Sequence, residues 1–389
     1  GGTIGLDDDI LFVRSTDNGA SWTFPQPLNT NADTDTDSDY NPQVSAAGAN
    51  HWLVVWEGPL FSSDADILVA RSSDDGENWS APESLNSNAS SDTRDDYEPR
   101  LSTDGAGNWV VVWFSDDTLG DTIGADNDVL VARSTDDGVS WSTVRPLGTN
   151  AGSDSGDDRF PGVTTDGNGT WVAVWSSNDD FDGVLGADND IFAARSTDAG
   201  ATWTAPTVIN SNAAYDVGSD ESPDVSVDDS GTWIAVWDSN DELGGTIGTD
   251  YDVLMAVSSD NGTTWTARGA LNSSAASDSG SDGGCRIGVG VDGNWLAVWR
   301  STDDLAGQTS QGVGDIFFAH GRFAECGDGS LDGNEQCDDG NTDDGDCCSA
   351  TCEFETGTCD DGDLCTQIDQ CDGAGTCVGS NPVVCTALD

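Results

Sequence analysis

The apolar residues of this chain fall into two kinds of short run that alternate along most of its length. Runs of the first kind start at an aspartate and recur every 57 to 63 residues, at Asp9, Asp66, Asp128, Asp190, Asp252 and Asp315. Runs of the second kind begin and end in tryptophan, at 52–56, 109–113, 171–175, 233–237 and 295–299. Both are rich in β-branched and aromatic residues and bounded by Gly, Asn and Asp, which predicts strands buried on both faces.

Two weaker strands complete each repeat. One begins near a proline or the cysteine that replaces it, at Pro42, Pro99, Pro161, Pro223 and Cys285. The other runs toward an aliphatic residue, at Leu28, Leu85, Leu147, Ile209 and Leu271. Four short strands in about sixty residues are typical of one blade of a β-propeller.

The strand count predicts an all-β, six-bladed propeller over residues 1–325 whose first blade is incomplete in this chain. Complete units occupy 42–85, 99–147, 161–209 and 223–271. The first unit holds only its third and fourth strands, and the last, at 285–325, holds three clear strands and a short candidate fourth after Gly321. A ring of five blades is the alternative, with the first hairpin joined to the last sheet and Asp315–His320 displaced.

Between the third and fourth strands the motif SxDxGxxW occurs five times, at Ser15–Trp22, Ser72–Trp79, Ser134–Trp141, Ser196–Trp203 and Ser258–Trp265. Its aspartate can accept backbone N–H groups across a hairpin turn, as in an Asx turn. Its glycine can adopt the positive φ that a tight turn needs, and its tryptophan can cover apolar surface. Five copies at nearly constant spacing predict a repeated structural turn.

These repeats resemble the Asp-box (BNR) repeats of the sialidase-like propeller superfamily, over roughly residues 1–325. The resemblance implies that the motif is structural and lies away from any active site. It would also imply an arginine triad, a Tyr–Glu nucleophile pair and an aspartate acid/base. The family's Phe-Arg-Ile-Pro motif has only an echo at 285–288, which lacks both Phe and Pro.

Three arginines are the candidates for binding an anion near the propeller axis: Arg100, Arg159 and Arg286. Arg100 follows Pro99 as Arg286 follows Cys285, and Arg159 directly precedes a first strand. The alternative is that they only offset neighbouring aspartates, and we favour it because so partial a motif match carries little weight. In addition, no tyrosine has a convincing glutamate partner. No catalytic residue and no organic cofactor site is assigned.

Residues 326–389 differ sharply in composition from the repeats. They hold ten of the 11 cysteines and few apolar residues, so disulfides must stabilise them. The first half of the segment resembles the Cys-rich repeats of myxobacterial surface proteins, and the second half resembles another short Cys-rich module of the same organisms. The cysteine density predicts an oxidising, secreted or cell-surface location. The pairing stays open. Cys285 lies alone in a strand and is expected to be a buried free thiol, although an interchain bridge is the alternative.

The charge is extreme, with 72 acidic residues against 12 basic ones and a net charge of −60. Repulsion on this scale opposes compaction and disfavours nucleic acid and anionic membrane surfaces as partners. No apolar run reaches eighteen residues, so no membrane insertion is expected.

Each repeat carries two acidic loops whose alternating carboxylates predict bound calcium, because Ca²⁺ takes six to eight oxygen ligands. The candidate ligands are Asp33, Asp35, Asp37, Asp39, Asp116, Asp121, Asp126, Asp128, Asp188 and Asp190. The alternative is that these loops are merely solvated. No loop has the full EF-hand spacing, so the individual ligands rest on acidic density alone.

The sequence predicts a non-catalytic extracellular scaffold or adhesion protein, stabilised by calcium. Its partner would be either itself, in a strand-sharing polymer built at unpaired sheet edges, or a cell-surface glycan ligand. An exo-sialidase-like glycoside hydrolase and a passive carbohydrate-binding propeller are the alternatives.

Overall fold

We describe the chain from a computed structural model. The described residues are 6–32, 36–48, 50–60, 64–181, 183–215, 217–266, 269–277, 279–290, 294–303, 314–322, 337, 347–349, 354–359, 368–372 and 377–380. They fall into two compact units, one of residues 1–292 and 296–319 and one of residues 293–295 and 320–389. This part of the chain contains no helix that is long and apolar enough to cross a membrane.

Six antiparallel sheets follow one another from residue 11 to residue 322. The first contains β1 (Leu11–Phe12) and β2 (Gln26–Pro27). The second contains β3 (Tyr40–Ala47), β4 (His51–Gly58), β5 (Asp66–Ser72) and β6 (Glu83–Ser84). The third contains β7 (Asp96–Thr103), β8 (Trp109–Ser115), β9 (Asp128–Ser134) and β10 (Arg145–Pro146).

The next two sheets repeat this four-stranded pattern. The fourth contains β11 (Asp158–Thr165), β12 (Trp171–Ser177), β13 (Asp190–Ser196) and β14 (Thr207–Val208). The fifth contains β15 (Asp220–Val227), β16 (Trp233–Ser239), β17 (Asp252–Ser258) and β18 (Gly269–Ala270). The sixth has three strands, β19 (Asp282–Val289), β20 (Asn294–Ser301) and β21 (Asp315–Arg322).

The protein is thus an all-β propeller with the strand distribution that the repeats predict. Four sheets are complete, the first has two strands and the sixth has three. Because β21 is the third strand of the sixth sheet, the five-blade alternative with a displaced Asp315–His320 is wrong. Residues 323–325 of the candidate fourth strand lie outside the described residues.

The hydrophobic core lies between neighbouring sheets. Val55 and Val69 of the second sheet belong to one buried cluster with Trp109 and Trp113 of the third, all at most 2% exposed. The third and fourth sheets, and the fourth and fifth, repeat this packing with the equivalent tryptophans. Alternate residues of each strand therefore contact different neighbouring sheets, which is why the runs are apolar on both faces.

The SxDxGxxW turns have the local chemistry that the sequence predicts. In the second sheet the backbone N–H of Asn78 donates to Asp74 Oδ1 over 2.9 Å, and the Ser72 hydroxyl donates to the same oxygen over 2.8 Å. Gly76 has a φ of 75°. Hydrogen bonds from the Asn78 side chain, and then from its backbone, lower the pKa of Asp74 to about 2.

Arginines at the end of the third strand link some sheets to the next turn. Arg14 Nη1 donates to the carbonyl of Asp75 over 3.3 Å, and Arg133 Nη1 donates to the carbonyl of Ala199 over 3.5 Å. Each bond connects one sheet to the SxDxGxxW turn of a following sheet. The two arginines thus link neighbouring sheets.

The C-terminal unit contains β22 (Ile368–Cys371) and β23 (Cys377–Ser380), which pair antiparallel. Its described disulfides are Cys337–Cys348, Cys347–Cys371 and Cys359–Cys377. Four other cysteines, Cys326, Cys352, Cys365 and Cys385, lie outside the described residues. In the propeller, Cys285 is a buried free thiol, as the sequence predicts, and burial raises its pKa.

Candidate functional site

Buried carboxylates meet wherever one sheet is followed by the next, and we number these junctions one to five in chain order. At the second junction, Asp66 begins the third strand of one sheet and Asp96 begins the first strand of the following sheet. The Asn86 side-chain amide donates to Asp66 Oδ1 over 2.8 Å and to Asp96 Oδ2 over 2.9 Å. All three residues are buried. A single amide thus bridges two carboxylates that water does not reach.

Further acids complete the second junction. Carboxylate oxygens of Asp64, Asp66 and Asp92 all lie within 4.8 Å of one another. One oxygen each of these three carboxylates is buried without a hydrogen-bond partner. The cluster therefore presents free oxygen ligands at a separation that a single metal ion could span.

The third junction repeats this cluster with Asp126, Asp128 and Asp154, whose carboxylate oxygens are again within 4.8 Å of one another. Asp128 is only 1% exposed, and neither of its carboxylate oxygens has a hydrogen-bond partner. Asp158, the equivalent of Asp96, is buried beside it. Burial of an uncompensated carboxylate is costly, so this arrangement favours either a proton on the carboxylate or a bound cation.

Burial, and then the charges of neighbouring carboxylates, raises the pKa values of these groups. The pKa of Asp128 rises to about 8 and that of Asp92 to about 7. The pKa of Asp66 and that of Asp154 rise to about 6. For Asp66 the bond from Asn86 partly opposes this effect. Without a cation, part of each cluster would hold protons near neutral pH.

The chemistry of these clusters suits a divalent cation. Among the ion pairs of the described residues, none joins an arginine to Asp64, Asp66, Asp92, or to their counterparts at the third junction. The free ligands are carboxylate and amide oxygens, which calcium prefers. The residues present therefore fit calcium.

The structure brings together only some of the predicted calcium ligands. Asp126 and Asp128 share the third-junction cluster. Asp190 has the same place at the fourth junction, where it accepts a hydrogen bond of 2.5 Å from Asn210, and Asp188 stands two residues before it. At the first junction Asp39 accepts a bond of 2.9 Å from Asn29.

Other predicted ligands lie elsewhere. Asp116 forms an ion pair of 2.8 Å with Arg94, and Asp37 and Asp121 are exposed. Asp33 and Asp35 lie outside the described residues. Asp37, Asp116 and Asp121 are therefore not among the carboxylates that the structure clusters, because local acidic density does not place a side chain between two sheets.

Sequence reasoning missed four members of the two clusters: Asp64, Asp66, Asp92 and Asp154. The repeat register is the signal that could have found them, since Asp64 and Asp66 lie 62 residues before Asp126 and Asp128. Asp92 and Asp154 are related by the same interval.

A second group of charged residues lies on the innermost strands. The first strands of successive sheets contact one another, so they are the innermost. Each is irregular around its proline position, and Glu98 has a φ of 49°. The position two residues after Glu98 is Arg100. The equivalent positions in the fifth and sixth sheets are Asp224 and Arg286.

Charges at these positions interact with one another. Burial, and then the charge of Arg286, lowers the pKa of Arg100, while Glu98 and Asp224 oppose the change. Asp224 accepts a bond of 2.9 Å from the backbone of Ile287. Burial raises the pKa of Asp238 to about 6, although its bonds from the backbone of Gly284 and Cys285 lower it. We call Arg100, Asp224 and Arg286, together with the buried Asp238 of β16, the axial group.

Arg159 does not share that register. It forms an ion pair of 2.9 Å with Asp157 and lines an open cleft of about 440 Å³ with Arg94 and Tyr97. The pairing with Asp157 is what the charge-offset alternative expects. Asp224 was not foreseen, although it lies 62 residues before Arg286.

No family model matches the sequence, and no curated protein matches it. Solved structures with a similar fold include the Hadza microbial sialidase Hz136, at 18% identity and a TM-score of 0.47, over 73% of this chain and 56% of the sialidase. A protein of unknown function from Dyadobacter fermentans matches at 15% identity and a TM-score of 0.47, over 72% of this chain and 82% of its own. A Penicillium chrysogenum α-L-arabinanase complexed with arabinobiose matches at 15% identity and a TM-score of 0.43, over 70% and 79% of the two chains. These likenesses concern the fold.

Proposed function

We propose that this protein is a non-catalytic extracellular scaffold whose sheets are held together by calcium and which associates with copies of itself. The observation that carries the proposal is the carboxylate cluster that recurs between successive sheets. In these clusters, acids at neighbouring sheets are buried without basic partners, so a bound cation would link one sheet to the next. Bound calcium would then be part of the folded structure, with no part in chemistry.

The described disulfides support an extracellular location, because such bonds persist in oxidising compartments. Extracellular fluids also supply the calcium concentrations at which sites of modest affinity are filled. The net charge of −60 adds a second reason for bound cations, since self-repulsion destabilises the compact state.

Exposed apolar side chains on the two incomplete sheets support self-association. Trp22 and Phe24 of the first sheet's hairpin are 61% and 88% exposed. Ile316 and Phe318 of β21 are 75% and 65% exposed. In the complete sheets the equivalents of Ile316 are buried, namely Ile67, Val129, Ile191 and Val253. A second copy could therefore cover the exposed faces by adding a sheet or a strand.

Sedimentation velocity in calcium tests this proposal. We expect species larger than a monomer at micromolar concentration, and dissociation on replacing Phe318 by Asp. Val139 is also apolar and 61% exposed but lies in a turn of a complete sheet, so Val139→Asp is the matched control and should leave association unchanged. A monomer under all these conditions would refute the self-association.

A glycoside hydrolase is the second candidate function, and the axial group favours it. Glycosidases need a protonated acid and an ionised carboxylate at one site. Burial raises the pKa of Asp238 to about 6 and also raises that of Asp224, while Arg100 and Arg286 could bind an anionic sugar.

Fluorogenic sialosides and arabinosides separate the two candidates. Under the scaffold proposal, neither substrate is hydrolysed above the buffer rate. Hydrolysis that is lost in both Asp238→Asn and Arg286→Ala would instead establish catalysis at the axial group. Thr266→Ser, between β17 and β18, should retain any such activity and is the matched control.

A further inference from the structure

The residue equivalent to Asn86 is not the same at all five junctions. It is asparagine at the first, second, fourth and fifth junctions, as Asn29, Asn86, Asn210 and Asn272, but glycine at the third, as Gly148. At the fifth junction Asn272 repeats the bridge, donating to Asp252 over 2.7 Å and to Asp282 over 2.8 Å. The third junction alone therefore lacks the bridging amide.

The missing amide changes which oxygens are free. At the second junction one oxygen of Asp66 accepts from Asn86, so only the other is unpaired. At the third junction both oxygens of Asp128 are unpaired, although this residue is 1% exposed. A carboxylate with both oxygens free can bind a cation in bidentate fashion, whereas Asp66 offers a single oxygen.

Other oxygens face the same space. A side chain built at Gly148 would begin 3.0 Å from Asn150 Oδ1 and 3.9 Å from Asp158 Oδ2. Asn150 Oδ1, Asp126 Oδ2 and Asp154 Oδ1 are buried and have no hydrogen-bond partner. With the two oxygens of Asp128, the third junction has five unpaired oxygens. What distinguishes it is the pair on one carboxylate, because each contributing residue of the second junction leaves only one oxygen unpaired.

We propose that the third junction is the tightest calcium site of the protein, and that Gly148 makes it so by leaving the ion the space that an amide fills elsewhere. The ion would be bound by Asp126, Asp128 and Asp154, and would also offset the charge of Asp158. Magnesium fits less well, because it demands a compact octahedron and retains its waters. This inference rests on the proposed calcium stabilisation and adds an order of affinity among the junctions.

Exchanging the two residue types tests the inference. Gly148→Asn would supply the amide, and the backbone there needs no positive φ, so the variant should fold. We expect isothermal titration of the calcium-free variant with calcium to show that the affinity of the tightest site falls by about tenfold or more, because Asp128 loses a free oxygen. The reverse change, Asn86→Gly, should create a second tight site. Gly148→Ala fills the space without an amide and should weaken binding less than Gly148→Asn.

Two outcomes would overturn the inference, and they differ in what they say about the proposed function. If Gly148→Asn leaves the tightest site unchanged while Asp64→Asn abolishes it, calcium stabilisation stands and the assignment to the third junction is wrong. If the chelated wild-type protein binds no calcium at millimolar concentration, both are wrong. Native mass spectrometry of the same variants counts the ions independently.

Discussion

The two ends of the third strand carry the same residue type in opposite electrostatic states. In β5, Asp66 opens the strand inside a junction, and Asp74 follows its other end in an exposed turn. Burial raises the pKa of Asp66 to about 6, whereas hydrogen bonds from Asn78 lower that of Asp74 to about 2. The turn satisfies its own carboxylate with local donors. The junction leaves Asp66 Oδ2 without a donor, and a bound cation would contact this oxygen under our proposal.

The difference teaches that acidic density has two separate causes in this protein. Turn aspartates complete a hairpin and need no partner beyond about five neighbouring residues. Junction aspartates come from two sheets and a linker, and their ionised form is costly unless a cation binds or the group takes up a proton. Experiments that treat the two classes alike will therefore confuse turn stability with metal binding.

Among these predictions, removing calcium should have the largest effect on the stability of the protein. A site filled at a hundred times its dissociation constant contributes about 2.7 kcal/mol, so emptying two sites should lower the melting temperature by about 10 °C. Scanning calorimetry with and without a chelator measures it. Adding calcium back should restore the transition and adding magnesium should not. An unchanged melting temperature would remove calcium from the account of stability.

A matched pair of substitutions should distinguish the two ends of β5. Asp66→Asn removes a charged ligand, so we expect a loss of about 2–3 kcal/mol in calcium and little or no loss in chelator. Asp74→Asn should destabilise equally in both buffers, because its partners are within the protein. Urea unfolding in the two buffers measures these differences. Equal calcium dependence of the two variants would contradict the distinction.

The stability of the calcium-free protein should depend on pH in opposite ways for the junction aspartates and the turn aspartates. The folded-state pKa values of Asp66, Asp92 and Asp128, at about 6, 7 and 8, lie above the ordinary value of 3.8. The stability that these groups give the folded state is therefore fully present below about pH 4, and it is lost as the pH rises to about 8. The turn aspartates Asp17 and Asp136, with pKa values of about 2, contribute above about pH 4 and lose this as the pH falls.

We thus expect the chelated protein to be most stable near pH 4–5, since both classes then contribute. Calcium should abolish the loss between about pH 5 and 8, because the bound ion stabilises the ionised junction. Urea unfolding at three pH values, with and without calcium, measures this. A chelated protein that gains stability over that range would show that the junction acids are not buried as described.

The smallest effect should come from the turn backbone. Gly76 has a φ of 75°, so Gly76→Ala should cost about 1 kcal/mol, and Gly76→Asn less, because asparagine tolerates this conformation. Gly288 in β19 has open space and no positive φ, and Gly288→Ala is the control. The cost of either Gly76 substitution in the free energy of unfolding should be the same with and without calcium. A calcium-dependent cost would link the turn to the junction.

The sequence predicted the sheets far better than the site. Repetition made each strand visible several times, so the strand count and the two incomplete sheets followed from spacing. The ligand clusters could not be predicted from spacing, because each combines residues from the start of a strand and from a linker, which come together only in the folded chain. Asp126 and Asp128 were predicted from a dense loop, whereas Asp154 lies in a different loop and was not. Asp37 and Asp121 belong to equally acidic stretches but are exposed.

The bonds from Arg14 to Asp75 and from Arg133 to Ala199 have a mechanical consequence. Each fastens the end of one sheet to the turn of a later one, so a sheet pulled away under tension takes an acceptor from an earlier sheet. We expect force applied along the chain to release it in steps of one repeat, each adding about 20 nm of extended length. If the chain bears tension as the proposed scaffold, it would lengthen in separate steps rather than in a single event.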